Sequence, residues 1–266
     1  MEHLRRIFGH PRLLPLAALL LRARTVRPSA PFIARELLRR GGVRVYRLRE
    51  SGLSVAIRHG TGDVVTLGEI FHDLDYAPCP EVEGALDDVC TIVDLGANIG
   101  LFGVFAAGRW PGARITAFEP DPANLAIHER TIAANGPGRR WTAIHAAGGA
   151  RDGEVRFSAG RFALSRMAGP GDRAAITVPI RDVLPMLAEA DLLKMDIEGG
   201  EWEILGDARF RASPPRALVL EYHPHLCPGD DARATALAAL AAANMRVHPI
   251  WHRDDGYGML WAWRAS

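Results

Sequence analysis

The chain has 266 residues, enough for one large α/β domain or two small ones, and its 48% hydrophobic content can fill a sizeable core. Intrinsic disorder is therefore not expected, and a formal net charge of +1 excludes a uniformly basic or acidic chain. The three cysteines, Cys79, Cys90 and Cys227, are odd in number and lack the short paired spacings of a zinc site, which predicts reduced thiols and a cytoplasmic protein.

The first fifty residues are basic, with twelve arginines against three glutamates, an excess of nine. The rest of the chain is therefore acidic, by eight charges. Within the first fifty residues, HPRLLPLAALLLRARTVR has the composition of a basic amphipathic arm that can lie on a membrane surface or on nucleic acid. A helical cap on the main domain explains the same pattern and is preferred, because charge runs are usually solvated faces. The apolar residues 13–21 are too few to span a membrane, and no cleavage site follows them, so we expect no secretory signal.

Residues 43–60 alternate apolar and polar side chains about a Ser51-Gly52 turn, which predicts a hairpin. Residues 66–80 then predict a helix that ends at its prolines. With the basic arm, these elements form a predicted N-terminal cap of helix, hairpin and helix over residues 1–85. The main domain is predicted over residues 86–266.

From Thr91 onward, short β-rich runs alternate with alanine-rich helical runs. The predicted strands are TIVDL, RITAFE, WTAIHA, DLLKMD and ALVLEY, and the predicted helices are LFGVFAAGRW, PANLAIHERTIAANG, EWEILGDARF and DARATALAALAAAN. This alternation indicates an α/β fold with a doubly wound, mostly parallel sheet covered by helices on both faces. The chain ends differently, because RVHPIW and GMLWAW flank the turn HRDDGY, which predicts an antiparallel C-terminal hairpin.

The first strand of this domain runs into a glycine turn, VDLGANIG. In a doubly wound sheet the ligand binds beyond the carboxyl ends of the strands, where the strand order reverses. Gly96 and Gly100 do not reproduce the G-x-G-x-x-G pattern of nicotinamide and flavin sites. Asp94 would repel a diphosphate but suits a cationic amino acid head, which disfavours a nicotinamide dehydrogenase. A simple tight turn explains the glycines as well.

The second strand ends in Glu119, some twenty residues after the turn. An acid at that position can accept hydrogen bonds from both hydroxyls of a ribose, which implies a ribose without a phosphate. Asp121 precedes Pro122 and is expected to cap the next helix, a role that Glu119 could share. We prefer Glu119 as the ribose ligand.

Four segments now resemble a known family: VDLGANIGLFGVFAA, AFEPDPANLAIHERTIAANG, DLLKMDIEGGEWEIL and LVLEYHPHL. Together they are similar to the FkbM family of S-adenosylmethionine-dependent methyltransferases, over about residues 66–226. The resemblance implies a seven-stranded class I methyltransferase fold, which is Rossmann-like, and methyl transfer to a hydroxyl, often of a sugar, a polyketide or another secondary metabolite. Two departures are Gly200, where an alanine is usual, and VPIRDVL, which replaces a customary Thr-Leu-Asp segment.

The resemblance also implies a set of residues that bind S-adenosylmethionine. Those expected at its methionine end are Asp94, Gly96, Asn98 and Gly100. Glu119 is expected at the ribose.

Four further residues are implied around the rest of the cofactor. His145, Ala146 and Ala147 are expected to flank the adenine near Trp141, although His145 fits a core histidine equally well. Glu69 lies in a segment that covers the cofactor in the family, and it is a candidate ligand for the amino group. An ordinary exposed acid is the alternative for Glu69.

Methyl transfer from a sulfonium to oxygen is an in-line displacement, so the protein has to align the partners and remove the acceptor's proton. The groups available at the ends of the fourth and fifth strands are Asp196, Glu198, Glu221, His223 and His225. Lys194, the one lysine in a chain that otherwise uses arginine, shares a strand face with Asp196 and can lower the pKa of its carboxyl. We expect Asp196 to be the base, Lys194 to tune it, and His223 to be the alternative base.

Carboxylates and histidines this close together also permit a divalent metal. Asp196 with His223 could bind one that polarises the acceptor hydroxyl. The metal-free form is preferred, because no dedicated ligand spacing is present.

Two other functions stay open. A nucleic-acid methyltransferase is favoured by the basic arm, but the acidic body and the lack of an Asn/Asp-Pro-Pro-aromatic tetrapeptide oppose it, so no nucleic-acid partner is expected. A catalytically inactive, membrane-associated binding module would use the arm for peripheral membrane contact, and the intact Asp94 and Glu119 oppose the loss of chemistry.

The small-molecule hydroxyl acceptor is not specified by the sequence, and neither is the oligomeric state. The hairpin, residues 153–179 and the loop around His223 are expected to frame the acceptor pocket. Arg161, Ser165 and Arg166 favour a polar or anionic acceptor, although exposed loop residues would look the same.

Overall fold

The structure is a computed structural model that describes residues 14–136, 140–158, 166–167 and 175–264. Its strands are β1 (Val26–Arg27), β2 (Gly42–Leu48), β3 (Ser54–His59), β4 (Thr91–Leu95), β5 (Arg114–Phe118), β6 (Trp141–Ile144), β7 (Ala147–Gly149), β8 (Gly153–Ser158), β9 (Arg166–Met167), β10 (Ala175–Asp182), β11 (Leu192–Met195), β12 (Ala217–Tyr222), β13 (Met245–His252) and β14 (Gly258–Arg264). Its α-helices are α1 (Leu14–Thr25), α2 (Ser29–Leu37), α3 (Asp63–Phe71), α4 (Pro80–Glu83), α5 (Leu101–Arg109), α6 (Pro122–Ala134), α7 (Leu184–Leu187), α8 (Glu201–Gly206), α9 (Ala208–Ala212) and α10 (Ala232–Ala242).

The largest sheet has seven strands in the order β13-β14-β12-β11-β4-β5-β6. From β12 to β6 neighbouring strands are parallel, and β14 runs antiparallel to both β12 and β13. The strand order reverses between the adjacent strands β4 and β11. The predicted α/β fold, a doubly wound and mostly parallel seven-stranded sheet with an antiparallel C-terminal hairpin, is confirmed.

Helices cover both faces of this sheet, which explains why its inner strands are almost continuously apolar. Val93, Leu95 and Leu193 pack into one hydrophobic cluster. Ile92 and Leu192, which alternate with them along the same strands, pack into a second cluster on the opposite face. The two inner strands are therefore buried on both sides, and a polar side chain on either strand needs a special reason.

The N-terminal part forms a three-stranded sheet in the order β1-β2-β3, with β2 and β3 paired antiparallel as the predicted hairpin. Phe32 of α2 and Ile57 of β3 belong to the same hydrophobic cluster as Ile92 of the central sheet. Ala17 and Ala23 of α1 are also buried. The N-terminal region thus packs closely on one face of the main sheet.

The helix predicted over residues 66–80 is placed wrongly at both ends. It begins at Asp63 and stops at Phe71, well before the prolines. The chain turns because the backbone N–H groups of His72 and Asp73 both bond to the carbonyl of Gly68, and Leu74 adopts a left-handed conformation with φ 61°. A second short helix, α4, then begins at Pro80.

A four-stranded sheet in the order β7-β10-β8-β9 was not predicted. It lies within and around residues 153–179, which the sequence indicated only as a pocket-framing segment. β7 is AGG, with none of the β-branched or aromatic side chains that mark a strand, and it pairs with β10 some thirty residues away. Within the described ranges, no helix is long and apolar enough to cross a bilayer.

Candidate active site

The glycine turn after β4 lies against the loop that follows β11. Gly96 has φ 74° and Gly100 has φ 85°, both in the left-handed region. A Cβ on Gly96 would overlap the backbone carbonyl oxygen of Asp196, and a Cβ on Gly100 would overlap the ring of His128. Glycine is therefore required at both positions by contact as well as by conformation.

Asp94 and Lys194 face each other across β4 and β11, as register partners. The Lys194 Nζ lies 3.5 Å from Oδ1 of Asp94 and 3.5 Å from Oδ2 of Asp196. It also donates hydrogen bonds to the carbonyls of Leu95 (3.3 Å) and Gly96 (2.7 Å). The lysine predicted to share a face with Asp196 does so, and in addition it binds the turn itself.

Burial and the neighbouring charges together shift the pKa values of Asp94 and Lys194. Asp94 is 0% exposed, and burial raises the pKa of its carboxyl to about 6 even though Lys194 opposes the shift. Burial works against the Lys194 ammonium, but Asp196, Asp94 and Glu221 outweigh it and raise the pKa of Lys194. The lysine therefore stays charged and holds the negative charges of this group together.

Glu119 lies at the end of β5, beside the same turn. Its Oε2 accepts a hydrogen bond from the Asn98 N–H (2.6 Å), and its Oε1 accepts one from the Asp121 N–H (2.8 Å). Burial raises the pKa of Glu119 to about 7. Oε1 accepts a second hydrogen bond from Nδ2 of Asn124 (3.5 Å), so Oε2 is the oxygen that keeps a lone pair for another donor. The side chain of Asp121 caps α6 by accepting from the Ala123 N–H, as expected.

His223 is held by a carboxylate that sequence reasoning missed. Glu201, 0% exposed at the start of α8, accepts hydrogen bonds from the backbone N–H of His223 (2.8 Å) and from its Nδ1 (3.1 Å). The other ring nitrogen, Nε2, lies 3.7 Å from Oδ1 of Asp196 and 3.7 Å from Oε2 of Glu198. Glu201 thus fixes the direction in which Nε2 of His223 points.

This surrounding shifts the protonation of the imidazole. Burial alone would lower the pKa of His223, but the hydrogen bond to Glu201 and the charges of Asp196 and Glu198 outweigh it and raise the pKa to about 9. Glu221, at the end of β12, has its pKa raised to about 8, first by burial and then by the charge of Asp196. The carboxylates here are more numerous than the cations among the described residues.

A cavity of about 480 Å³ opens beside this group of charges. Its lining includes Gly96, Asn98, Glu119, Asp196 and Glu198. This volume lies in the range of small-molecule sites. The glycine turn, the predicted ribose ligand and the predicted base are therefore brought together at one opening.

Seven predicted site residues do not line the cavity. Four of them, Asp94, Gly100, Lys194 and His223, belong to the turn and to the ion pairs around it, and the other three lie in other segments of the chain. Ala146 is fully buried, and His145 is exposed, with its Nε2 3.1 Å from the carbonyl of Pro120, which does line the cavity. Glu69 on α3 is partly buried and close enough to Asp196 for the two charges to interact. Their roles toward the cofactor stay predictions.

The structure corrects the expected position of Trp141. It is the first residue of β6, the opposite end of the strand from the cavity, and its ring packs against His128 with centroids 5.2 Å apart. A Cβ on Gly103 would overlap it. Trp141 therefore belongs to the core and does not line the cavity. Arg161 and Ser165 lie outside the described residues, as does the side chain of Arg166.

The chain's own polar atoms fit the predicted cofactor. Both carboxylate oxygens of Asp94 and the Oδ1 of Asn98 are buried without a hydrogen-bond partner in the described part of the chain. These are acceptors, so they suit the ammonium group of an amino acid head. The turn that carries them approaches the loop of Asp196 so closely that only glycine fits at residue 96.

A family model described as "Methyltransferase FkbM domain" matches residues 94–241, more than half of the chain. This match confirms the resemblance found in the sequence and, with it, S-adenosylmethionine as the cofactor. The residues that bind it remain to be tested.

Two curated proteins match shorter segments. One is "Methyltransferase sdnD" of Sordaria araneosa, 48% identical over 44 residues, which are 16% of this chain and 17% of that protein. The other is "Methyltransferase 1" of Beauveria bassiana (strain ARSEF 2860), 39% identical over 66 residues, 24% of each. The matched segments thus span a quarter or less of these relatives. Among solved structures, a SAM-dependent O-methyltransferase from Thermotoga maritima has a TM-score of 0.44 at 12% identity, covering 87% of this chain and 81% of that chain.

Proposed function

Because the chain belongs to the FkbM methyltransferase family, we propose that it is an S-adenosylmethionine-dependent O-methyltransferase. Its acceptor is a hydroxyl of a small molecule such as a sugar, a polyketide or another secondary metabolite. One observation carries the proposal: a single cavity of about 480 Å³ is lined by the glycine turn, Glu119 and Asp196. Cofactor ligands and a base on the same cavity are what methyl transfer by direct displacement needs.

The proposal assigns the cofactor to residues around the turn. Asp94 and Asn98 supply buried acceptors for the amino acid end, and Glu119 supplies acceptors for the ribose. Gly96 and Gly100 let the turn pass close to neighbouring groups. When bound, the cofactor supplies a methyl group on a positively charged sulfur.

Asp196 is the base in this proposal. Its side chain is 28% exposed and lines the cavity, so an acceptor hydroxyl can reach it. Lys194, 3.5 Å from Oδ2, positions the carboxylate and stabilises its charge. With a pKa of about 9, His223 carries a proton on both ring nitrogens at neutral pH and cannot take another. This supports Asp196 over His223.

The direct test is to incubate the full chain with S-adenosylmethionine labelled in its methyl group and with fractionated small-molecule extract of the source cells. Mass spectrometry of the labelled product is expected to show an O-methyl group. Glu119→Ala should weaken cofactor binding, measured by calorimetry, by about 1.5–3 kcal/mol, the range for hydrogen bonds to a charged group.

Other outcomes would point elsewhere. Label in nucleic acid, with salt-sensitive retention on heparin, would favour the nucleic-acid methyltransferase. Absence of S-adenosylmethionine binding would leave a binding module without chemistry. Unchanged cofactor affinity in Glu119→Ala would mean that the ribose is held by other residues.

A further inference from the structure

Asp196, Glu221 and His223 bring one ligand atom each to within 4.8 Å of one another. They come from the ends of two neighbouring strands, β11 and β12, so the sheet sets their spacing. The donors are two carboxylate oxygens and an imidazole nitrogen. This mixed oxygen and nitrogen set is typical of divalent cations such as Mn²⁺ and Zn²⁺.

The imidazole of His223 is oriented for such a role, and a bound cation would replace the proton that Nε2 carries in the ion-free protein. It is 2% exposed, and its Nδ1 is held by Glu201, which is itself fully buried. In metal sites the ligand histidine usually donates the N–H of its second ring nitrogen to a carboxylate in this way. That hydrogen bond fixes the ring and makes the other nitrogen a stronger metal ligand. Nε2 points at Asp196 and Glu198 without reaching hydrogen-bond distance of either.

The candidate ligand atoms of His223 and Asp196 lie slightly farther apart than they would around a bound ion. Ligand atoms at about 2.0–2.2 Å from a metal, at right angles to one another, lie roughly 3 Å apart. The 3.7 Å from Nε2 of His223 to Oδ1 of Asp196 needs only a small contraction to reach that value. The charge near this point is also mostly negative, because the single charge of Lys194 is shared between Asp94, Asp196 and two backbone carbonyls.

We propose that Asp196, Glu221 and His223 bind a divalent cation, with the remaining positions open to water and to the acceptor hydroxyl. The role of the acceptor rests on the function proposed above, whereas the binding itself does not. Oδ1 of Asp196 faces the cation, and Oδ2, beside Lys194, keeps its place as proton acceptor. The cation favours the deprotonated form of a hydroxyl bound to it. This proposal departs from the metal-free form that the sequence analysis preferred.

Mn²⁺ is the probe, titrated into the full chain and followed by electron paramagnetic resonance. Glu221→Gln, which removes a ligand from a partly exposed position, should weaken Mn²⁺ binding by at least ~10-fold, and Glu201→Gln should weaken it ~10–100-fold as a positioning residue. Glu189→Gln is the matched control, since Glu189 is exposed beside Thr91 at the amino end of β4. The Glu189→Gln variant should bind Mn²⁺ with the same affinity as the unsubstituted chain.

A second measurement avoids any loss of folding in the variants. In the unsubstituted chain, substoichiometric Mn²⁺ should broaden the imidazole resonances of His223 before those of other histidines. Broadening of His248 first would place the ion at the other candidate group, Cys79, Glu81 and His248, and would overturn the proposal. So would equal Mn²⁺ affinity in the unsubstituted chain and in Glu221→Gln, since Lys194 and the His223 imidazolium would then supply the positive charge.

The two proposals fail separately. Methyl transfer that continues in a chelator, with no Mn²⁺ bound, refutes the cation site and leaves the methyltransferase intact. Mn²⁺ binding without S-adenosylmethionine binding refutes the proposed function and leaves the cation site.

Discussion

Lys194 and Asp94 stand opposite each other on adjacent parallel strands, with 3.5 Å between Nζ and Oδ1. The same ammonium lies 3.5 Å from Asp196 and donates to the carbonyl of Gly96 at 2.7 Å. One compact cation therefore connects the predicted cofactor turn to the predicted base. A guanidinium is planar and larger, so it cannot replace these contacts on a crowded strand.

Lys194→Met should destabilise the fold by about 3–5 kcal/mol, because it leaves Asp94 buried without its partner. Denaturant unfolding measures this loss. In the double variant Asp94→Asn, Lys194→Met the loss should be smaller than the sum of the single losses. Additive losses would show that the pair does not interact. Lys194→Arg keeps the charge and should still lower turnover.

Gly96→Ala should abolish cofactor binding and lower stability by more than the ~1–2 kcal/mol of a left-handed backbone alone, because its Cβ meets the carbonyl of Asp196. Calorimetry and denaturant unfolding give the two values. Gly206→Ala is the control, since Gly206 ends helix α8 with nothing within 4 Å of an added Cβ. If both variants behaved alike, the close approach at Gly96 would not matter.

Cofactor affinity should depend on pH through Glu119. Its pKa of about 7 in the free protein lies above the ordinary 4.5, because the carboxyl is buried. Ribose hydroxyls donate to the ionised form, so below pH 7 binding has to expel a proton. Affinity should therefore rise between pH 6 and pH 8 and level off above the pKa.

Glu119→Gln isolates this contribution, because Asp94, with a pKa of about 6, titrates in both proteins. The difference in slope between the two proteins belongs to Glu119. Identical slopes from calorimetric titrations at several pH values would remove Glu119 from the ribose site.

The sequence predicted the parts of the site that lie along single strands. Lys194 and Asp196 follow from strand alternation, Asp94 follows from its place just before the glycine turn, and Glu119 follows from its distance to that turn. Glu201 was missed because its contact with His223 joins α8 to β12, and no local pattern reports that packing. The end of α3 was missed for a similar reason, since Leu74 takes a left-handed conformation that its side chain does not favour.

Removing residues 1–40 should lower the thermal midpoint whether or not lipid is present. The deletion takes away α1 and α2, including the buried Phe32 and the 2.6 Å hydrogen bond that Nδ1 of His59 donates to Oε1 of Glu36. Vesicles of anionic lipid should not pellet the intact chain. Strong pelleting that high salt abolishes would favour the membrane-binding arm instead.

Asp196→Asn should reduce the single-turnover rate by at least ~10²-fold, the effect of losing a general base. Asparagine keeps the shape of the side chain but cannot take the acceptor's proton. Cofactor affinity should barely change, because Asp94 and Glu119 are the proposed ligands. Rates on the identified acceptor and calorimetric affinities measure the two effects separately.

Asp230→Asn is the matched control, since Asp230 is exposed, lies off the lining of the cavity and loses the same charge. Its rate should stay near that of the unsubstituted chain. A near-normal rate in Asp196→Asn would make the assignment of the base wrong and leave His223 as the leading alternative.

The chelator separates the two roles of Asp196: if it slows the unsubstituted chain to the rate of Asp196→Asn, the cation contributes most of the effect. If the chelator changes nothing while Asp196→Asn is slow, proton removal by the carboxylate alone explains the loss.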